Sequence, residues 1–478
     1  MKKRAELVFI PAVGIGHLVP MMELAKRLLH RDDRLSITVL LIKTLFLTDF
    51  TSYTDSLADS VARLRFIHLP NIDPPPSSSN LRFRESLISV LVETHKPLVK
   101  QTITNLFFSD SDSESPFAGL VIDLFCTSLI DVGNELGAPS YIFFSSTAGM
   151  LGLMLHLPEL DNQIDTDFKD SVTELSIPCF ANPVPLFVLP LPLWKKTDPS
   201  YGWLVYHGRR FREAKGIVLN TFMELEPTAV NSFSSVQNRT PPVYSVGPLI
   251  DLQGQAYNQT QLEESIKNWL DDQPPASVVF LCFGSRGSFD AAQVKEIAIG
   301  LERSRHRFLW SLRRPPETNK LASPTDFLNI GDVLSDGFLD RIEGRGLVCG
   351  WVPQTTVLAH KAVGGFVSHC GWNSILESLW LGVPIAAWPL YAEQHLNAFE
   401  LGRELGGLVV ELRLDYRGGD DLVTAEEVER GVCRLMDCDC GVRMKVKEIM
   451  EKSRKVLMDD GSSFMSLGSL IKDIVDEN

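Results

Sequence analysis

The strongest constraint on the fold is an alternation of short apolar runs with helical patterns, which occurs twice along the chain. In the first half, runs such as "ELVFIPA", "LSITVLLI" and "FAGLVID" are separated by amphipathic stretches such as "HLVPMMELAKRLLH". The second half repeats this order with "SVVFLCFGS", "HRFLWSLR", "GGFVSHCG" and "PIAAWP". Strands that are apolar throughout are typical of parallel sheets covered by helices on both faces. The sequence therefore predicts an α/β fold with two parallel sheets.

The chain length and a turn-rich segment indicate how the two sets of strands are divided into domains. At 478 residues the chain exceeds the size at which a single hydrophobic core stops growing. The Pro- and Gly-bearing segment around Val243 to Gly254 separates the first set from the second. We predict a first domain over residues 1–248, a second over 249–455, and a C-terminal helix over 456–478 that can pack back on the first domain.

The net charge and the cysteines exclude several classes of function. A formal charge of -14 offers no positive field for a nucleic acid or an anionic membrane surface. No apolar stretch reaches the ~18 uninterrupted residues of a membrane-spanning helix. The eight cysteines are scattered, which favours a reduced, cytoplasmic protein over a disulfide framework. Cys433, Cys438 and Cys440 lack a nearby histidine or second cysteine pair, so we expect no metal site.

One strand-turn-helix segment, "GGFVSHCGWNSILESLWLG", is a candidate ligand site. In parallel sheets, ligands bind where the carboxyl ends of strands lead into helix N-termini. The predicted strand ends at His369, and the N–H groups at the front of the next helix, near Asn373 and Ser374, form an anion site. A purely structural interpretation remains open, because Ser374 and Glu377 also match a capping box and the tryptophans match core residues.

The chain from Trp351 to Gln394 resembles the signature box of the plant family 1 UDP-sugar-dependent glycosyltransferases. The box matches over all 44 residues without a gap, from "WVPQTTVLAHKAVGGF" to "AEQ". The similarity extends to "FIPAVGIGHLVPMMELAKRL" and "DLFCTSLIDVGNELG" in the first half. This resemblance implies an α/β fold of the GT-B type, in which two facing Rossmann-like domains with parallel sheets bind one uridine diphosphate sugar.

The resemblance also implies roles for the residues of the box. Trp351 stacks on uracil, whose edge pairs with the Val352 backbone, while Gln354 and Glu377 hold the ribose. The pyrophosphate contacts His369, Asn373 and Ser374. Because the box ends in Gln394, the residue type typical of glucose users, we expect UDP-glucose as the donor. The full expected donor-binding set comprises Gly16, Ser145, Gly284, Ser285, Trp351, Val352, Gln354, His369, Trp372, Asn373, Ser374, Glu377, Glu393 and Gln394.

The loop "FGSRGSF" departs from the family pattern at one position. Gly284 and Ser285 follow a predicted strand, where backbone N–H groups can bind the donor phosphates. Related proteins commonly have a small or apolar residue where this chain has Arg286. Two interpretations stay open: the guanidinium contacts the diphosphate or the acceptor, or it points to solvent.

A histidine and an aspartate at the ends of two strands are the candidate catalytic pair. His17 lies in "GIGH", at the start of a helix, where a positive charge is disfavoured and a neutral imidazole can accept a proton. Asp123 ends the strand "GLVID" and can accept from the other ring nitrogen, as the acid does in a hydrolase triad. His17 also resembles the catalytic histidine of the family.

We therefore expect an inverting glucosyltransferase that moves glucose from UDP-glucose to a hydroxyl of a hydrophobic plant secondary metabolite. The expected acceptor is a flavonoid or another phenolic, with a terpenoid as the alternative, and the expected product is a β-O-glucoside. No metal or other cofactor is needed, because helix dipoles and hydrogen bonds can neutralise the leaving diphosphate. We also expect a monomer. The expected acceptor residues are Phe125, Met150, Leu151, Leu189 and Tyr391.

Two other classes of function fit the sequence less well. A nicotinamide-dependent oxidoreductase needs G-x-G-x-x-G after a strand, but the first turn reads "GIGHLVP" and lacks the third glycine. A protein that binds a nucleotide sugar without catalysis would not need His17 and Asp123, both of which are present.

Overall fold

The computed structural model describes residues 4–42, 51–72, 81–109, 116–234, 240–252, 264–316, 322–418, 421–437 and 441–476. The chain divides into two compact units. The first comprises Met1–Leu186, Pro192–Ile250 and Lys455–Asn478, and the second comprises Phe187–Leu191 and Asp251–Arg454. The first boundary lies two positions after the predicted residue 248. The sequence did not predict that the short segment Phe187–Leu191 groups with the second unit.

The described strands are numbered in chain order. They are β1 Ala5–Ile10, β2 Leu35–Leu41, β3 Leu64–His68, β4 Phe117–Asp123, β5 Ser140–Phe144, β6 Glu174–Leu175, β7 Val184–Pro185, β8 Gly216–Leu219, β9 Val243–Ser245, β10 Val278–Cys282, β11 Arg307–Ser311, β12 Gly346–Cys349, β13 Val363–Ser368, β14 Ile385–Ala387 and β15 Val409–Glu411.

The described α-helices are numbered in the same way. They are α1 Ile15–Arg31, α2 Thr51–Ser60, α3 Arg84–Phe107, α4 Ile130–Glu135, α5 Ala148–Gln163, α6 Phe168–Ser171, α7 Pro199–Arg210, α8 Pro227–Ser232, α9 Glu264–Asp271, α10 Ala291–Ser304, α11 Phe338–Arg341, α12 Gln354–Leu358, α13 Trp372–Leu381, α14 Gln394–Phe399, α15 Ala425–Met436, α16 Gly441–Lys455 and α17 Ser462–Asp476. A π-helical turn, Glu400–Glu404, continues α14.

Each unit contains one parallel sheet, which confirms the predicted α/β fold. The first sheet has the order β3-β2-β1-β4-β5-β8-β9, and the second has the order β12-β11-β10-β13-β14-β15. All of their strand pairs are parallel, whereas β6 and β7 form a small antiparallel pair. The strand order reverses between β1 and β4 in the first sheet and between β10 and β13 in the second. Ligands of open α/β sheets bind at such reversal points.

The central strands are buried on both faces because their side chains are apolar throughout. In β1, the four residues Leu7 to Ile10 have no exposed surface. The second unit has an aromatic core, in which the Trp388 ring lies 5.5 Å from Phe283 and 5.2 Å from Phe289. Trp388 is fully buried in this cluster, so the interpretation of this tryptophan as a core residue is the one that the structure supports.

The C-terminal helix α17 packs on the first unit, against β9 and β4. The Ser463 hydroxyl donates to the Gly247 carbonyl at 2.6 Å, and the Tyr141 hydroxyl donates to Asp473 Oδ2 at 2.9 Å. The guanidinium of Arg31 lies 3.3 Å over the Phe464 ring. These contacts fix the last helix to the sheet of the first unit. Among the described helices, each is too short or too polar to cross a lipid bilayer.

Candidate active site

The first unit brings His17 and Asp123 together at the point where its strand order reverses. Gly14 precedes α1 with φ of 142°, a conformation that favours glycine, and this turn places His17 in the first turn of the helix. Asp123 is the last residue of β4. His17 Nδ1 lies 2.9 Å from Asp123 Oδ2. The aspartate side chain has no exposed surface, whereas 26% of the histidine side chain is exposed.

The hydrogen bond to Asp123 defines the tautomer of a neutral His17 ring. The other carboxylate oxygen, Oδ1, accepts a hydrogen bond from the Phe125 N–H at 3.1 Å. Because Oδ2 is an acceptor, Nδ1 of His17 is the protonated ring nitrogen, and Nε2 carries the lone pair. The Phe125 ring packs edge-on against the imidazole at 5.7 Å. In this arrangement Nε2 of His17 is the ring nitrogen that can accept a proton.

The next strand end in the first unit is less suited to an anion. Ser145 directly follows β5 and is partly exposed, but Thr147 caps α5 by accepting from the Met150 N–H at 2.8 Å. The buried Glu226 accepts from the N–H groups of Ala148 at 2.7 Å and Gly149 at 3.2 Å. The front of α5 is thus satisfied by side chains of the protein itself.

The second unit encloses His369 between two glycine-bearing loops. His369 follows β13, and a Cβ atom at Gly284 would lie 2.6 Å from its Nε2 atom. A Cβ atom at Gly371 would also lie 2.6 Å from Nε2. Burial lowers the pKa of His369 to about 4, so the imidazole is neutral at physiological pH. Gly284 has φ of 73°, and the following Ser285 is exposed.

The helix α13 begins one turn earlier than the capping-box interpretation requires. Its N-cap is Gly371, which offers no side-chain cap, and Ser374 is the third helical residue. Ser374 Oγ accepts from Gln354 Nε2 at 2.9 Å, and Glu377 Oε2 accepts from the same nitrogen at 2.7 Å. The capping-box interpretation is therefore wrong. The first-turn N–H groups of any α-helix point away from its own carbonyls, so the start of α13 has the geometry of an anion site.

The carboxyl of Glu377 has an unusually high pKa. Burial raises its pKa to about 7, and the nearby Asp251 acts in the same direction. Hydrogen bonds from Gln354 and Thr355 oppose this effect without cancelling it. Glu377 is thus half-ionised near neutral pH.

Trp351 is held by residues that sequence reasoning missed. Its N–H donates to Asp326 Oδ1 at 3.0 Å, and the same oxygen lies 2.8 Å from Arg313 Nε. A Cβ atom at Gly350 would lie 2.6 Å from the Asp326 carboxyl carbon, so glycine is required for this close approach. The Trp351 side chain is partly exposed, whereas Val352 is buried. No local pattern marks Asp326, because its role depends on a contact 25 positions away.

The end of the signature box is tightly packed. Gln394 is 3% exposed, and its Oε1 atom accepts from the N–H groups of Leu390 at 3.0 Å and Tyr391 at 3.1 Å. The amide nitrogen is then the atom of Gln394 that can donate to a sugar hydroxyl. Glu393 precedes α14 and is partly exposed, and Trp372 is buried at the start of α13.

Arg286 is turned toward the protein. It is partly buried, burial lowers its pKa, and the neighbouring Tyr391 hydroxyl opposes that shift. Burial also raises the pKa of Tyr391 to about 12, so this phenol is neutral. Arg286 is thus partly buried beside Tyr391 rather than fully exposed to solvent.

The expected acceptor residues differ in their exposure. Phe125 and Tyr391 are partly exposed, Met150 is 7% exposed, and Leu151 and Leu189 have no exposed surface. Leu189 lies in the segment that groups with the second unit, although it was expected in the first domain. Leu151 and Leu189 present no surface to an acceptor in this structure.

Potential metal ligands do not cluster in the part of the chain that the structure describes. No group of three or more His, Cys, Asp or Glu side chains there is arranged to hold a metal ion. Cys438 and Cys440 lie outside the described residues.

Comparisons with known proteins agree with the geometry of both units. Residues 247–429 match the family model described as UDP-glucoronosyl and UDP-glucosyl transferase. UDP-glycosyltransferase 71K1 of Malus domestica is 51% identical, with both chains covered in full. A putative UDP-glucose flavonoid 3-O-glucosyltransferase of Fragaria ananassa is 50% identical over 99% of this chain and 100% of its own.

Solved structures show the same similarity. Medicago truncatula UGT71G1 complexed with UDP-glucose matches with a TM-score of 0.88 and 45% identity, covering 99% of this chain and 98% of the other. A transferase from Siraitia grosvenorii in complex with UDP matches with a TM-score of 0.86 and 45% identity, covering 98% and 100%. A Phytolacca americana enzyme complexed with a fluorinated UDP-glucose and pterostilbene matches with a TM-score of 0.84 and 35% identity. The match covers 98% of this chain and 99% of the other. This chain therefore belongs to the plant family 1 UDP-glycosyltransferases and is a glycosyltransferase with a fold of the GT-B type.

Proposed function

We propose that this enzyme transfers glucose from UDP-glucose to a hydroxyl of a flavonoid or another phenolic and forms a β-O-glucoside. The observation that carries the proposal is the hydrogen bond of 2.9 Å between His17 Nδ1 and Asp123 Oδ2. An acceptor hydroxyl must lose its proton as its oxygen attacks the anomeric carbon. His17 Nε2 accepts that proton, and Asp123 holds the tautomer and stabilises the imidazolium that forms.

The donor part of the proposal rests on the second unit. Trp351 stacks on the uracil, and the carboxylate of Glu377 accepts hydrogen bonds from the ribose hydroxyls. The first-turn N–H groups of α13, together with the neutral His369 and the loop at Gly284, bind the diphosphate. These uncharged donors stabilise the negative charge that develops on the leaving UDP, so the proposed reaction needs no metal. Two structural relatives with UDP-glucose or UDP support this donor.

The acceptor part rests on the surface beside the base. The ring of Phe125 is partly exposed and packs against His17, so it offers an apolar contact to an aromatic acceptor. Two Fragaria ananassa relatives are named as flavonoid 3-O-glucosyltransferases, one of them putatively, and the Phytolacca americana relative was solved with pterostilbene. Attack from the face opposite the leaving UDP inverts the α-linked donor and gives the β-glucoside.

The proposal includes a cytoplasmic location. It is supported by the described cysteines, which are all free thiols and are mostly buried, as is usual in a reducing compartment.

The experiment is a panel of flavonols, simple phenols and triterpenes, each offered with UDP-glucose, UDP-galactose or UDP-glucuronic acid. We expect UDP-glucose with a phenolic acceptor to give the highest kcat/KM, and NMR of the product to show a β-linked glucose. Conversion of triterpenes alone would contradict the phenolic acceptor, an α-linked product would contradict inversion, and preference for another sugar would contradict the donor. The His17→Ala variant serves as the control for non-enzymatic transfer.

A further inference from the structure

A second histidine, His207, lies buried near the proposed base and has no part in the reaction described above. It belongs to α7 and is 1% exposed. Its Nδ1 atom lies 2.7 Å from Thr127 Oγ1, and its Nε2 atom lies 2.8 Å from Ser89 Oγ on α3. Thr127 follows β4 by four positions, on the same loop as Phe125. The imidazole therefore connects α7 and α3 to the loop after β4, which also contains the residues that contact Asp123.

The direction of each hydrogen bond in this cluster can be assigned. Ser89 Oγ donates its one proton to the Glu85 carbonyl at 2.7 Å, so toward the imidazole it is an acceptor. Nε2 of His207 must then carry the proton and donate to Ser89. Nδ1 is left with the lone pair and accepts from the Thr127 hydroxyl. Burial lowers the pKa of His207 to about 3, which keeps the ring in this neutral form at working pH.

The same loop fixes Asp123 and packs on His17. The Phe125 N–H donates to Asp123 Oδ1 at 3.1 Å, and the Cys126 N–H donates to the Asp123 carbonyl at 2.8 Å. The Phe125 ring lies edge-on to both imidazoles, 5.7 Å from His17 and 5.8 Å from His207. The His207 ring also stacks on Trp203 at 5.8 Å. A movement of the loop would change both the carboxylate and the ring that contact His17.

We propose that His207, through its hydrogen bond from Thr127, is a positioning residue that holds the loop of Phe125 so that Asp123 keeps His17 in its reactive orientation. The proposal rests on the assignment of His17 as the base. Stability alone does not require this cluster, since replacing buried hydrogen-bonded partners by apolar groups of the same shape can be nearly neutral for folding. A hydrogen-bond network does, however, hold its members in one geometry. A catalytic base depends on such precise placement more than the stability of a hydrophobic core does.

The test compares Thr127→Val, which removes the O–H donor at almost constant volume, with Thr127→Ser, which keeps it. The control is Ser86→Ala: Ser86 lies on the same helix α3 and pairs with Ser200 of α7 at 2.8 Å, a buried contact that does not touch His207. For each variant, Tm, kcat, the KM for UDP-glucose and the pH profile of kcat/KM are measured with the best acceptor of the panel. Ser89→Ala, which frees the other ring nitrogen, decides the question if Thr127→Val does not fold.

We expect Thr127→Val to lower kcat about tenfold, as a displaced catalytic group does, with the KM for UDP-glucose unchanged. The acid limb of its kcat/KM profile should move to lower pH, because a carboxylate that holds the imidazolium less well makes it easier to deprotonate. Thr127→Ser should retain the kcat and the profile of the wild type, and Ser86→Ala should lower Tm without lowering kcat.

Two results would overturn the inference. One is a Thr127→Val variant, or a Ser89→Ala variant in its place, with the kcat and acid limb of the wild type. The other is a Ser86→Ala variant whose kcat falls as much as that of Thr127→Val when both variants lose the same Tm. If His17→Ala itself is fully active, the base assignment fails instead, so the two failures are distinguishable.

Discussion

The two units present their candidate sites in different ways. In the second unit, most of the residues proposed to bind the donor lie within one continuous box, from Trp351 to Gln394. In the first unit, the proposed base and its acid are 106 positions apart and meet only because β1 and β4 are neighbours in the sheet. Most of the residues proposed to bind the donor thus come from consecutive elements, whereas the two residues proposed as the base and its acid come from elements far apart in the chain.

The units also treat their acids differently. Asp123 accepts hydrogen bonds from His17 and from the Phe125 N–H, both in the first unit. Glu377 is desolvated, and its pKa is raised to about 7, so part of it is protonated at neutral pH when no ligand is bound. In the proposed reaction, Asp123 serves the chemical step, whereas Glu377 serves donor binding.

Among the changes to Asp123, Glu377 and Arg286, the largest effect is expected when the acid in the first unit is removed. In Asp123→Ala, the His17 ring loses the hydrogen bond that fixes its tautomer and orientation. The kcat should therefore fall by about 10²-fold or more. Calorimetric titration with UDP should give the Kd of the wild type, because no second-unit residue has changed. An unaltered kcat would show that Asp123 serves only the fold.

A smaller effect is expected from pH at the second unit. With a pKa of about 7, Glu377 goes from mostly protonated at pH 6 to mostly ionised at pH 8, so its ionised fraction rises about tenfold. Ribose hydroxyls donate to the ionised form, and the Kd for UDP-glucose should therefore fall as pH rises through 7. His369, whose pKa is about 4, stays neutral over this range.

The matched control for this pH effect is Glu377→Gln, which cannot ionise. Its Kd for UDP-glucose, measured without acceptor, should be the same at both pH values. A wild-type Kd that is flat between pH 6 and pH 8 would mean that the carboxylate does not bind the donor.

The smallest effect is expected at Arg286, the residue that departs from the family pattern. Its guanidinium lies beside the neutral Tyr391 and is partly buried. If it contacts the diphosphate, Arg286→Met should raise the donor KM about tenfold, the cost of a hydrogen bond to a charged group. Arg286→Lys keeps the charge, and its donor KM should lie between those of the wild type and of Arg286→Met. Unchanged Michaelis constants for donor and acceptor would limit Arg286 to packing on Tyr391.

The sequence predicted the fold class because most strands have clear apolar runs, but it missed two short strands of the first sheet. The strand β8, Gly216–Leu219, is only four residues long, and β9 lies in a segment that we interpreted as a linker because prolines precede and follow it. Both complete the first sheet through pairing with β5 and with each other. Their four and three residues carry too little periodicity to indicate a strand.

The parts of the site that could not be predicted depend on tertiary contacts. The box identified Trp351, but Asp326, which holds its backbone, comes from a loop with no recognisable motif. The grouping of Phe187–Leu191 with the second unit likewise has no local signal. His207 is a single histidine on an amphipathic helix, and its hydrogen bonds to Thr127 and Ser89 bridge 80 and 118 positions. Spacing in the sequence does not encode such contacts.

The most direct test of the account is the response of two variants, one in each unit, measured as single-turnover rate at saturating donor and as Kd for UDP. For His17→Ala we predict a rate that is lower by about 10²–10⁴-fold with an unchanged Kd. For Trp351→Ala we predict the reverse. Its binding of UDP should be weaker by about 1–3 kcal/mol, the free energy of the lost stacking, while its single-turnover rate stays nearly unchanged. If His17→Ala turns over at the rate of the wild type, or if Trp351→Ala binds UDP as tightly as the wild type, the proposed division between base and donor site is contradicted.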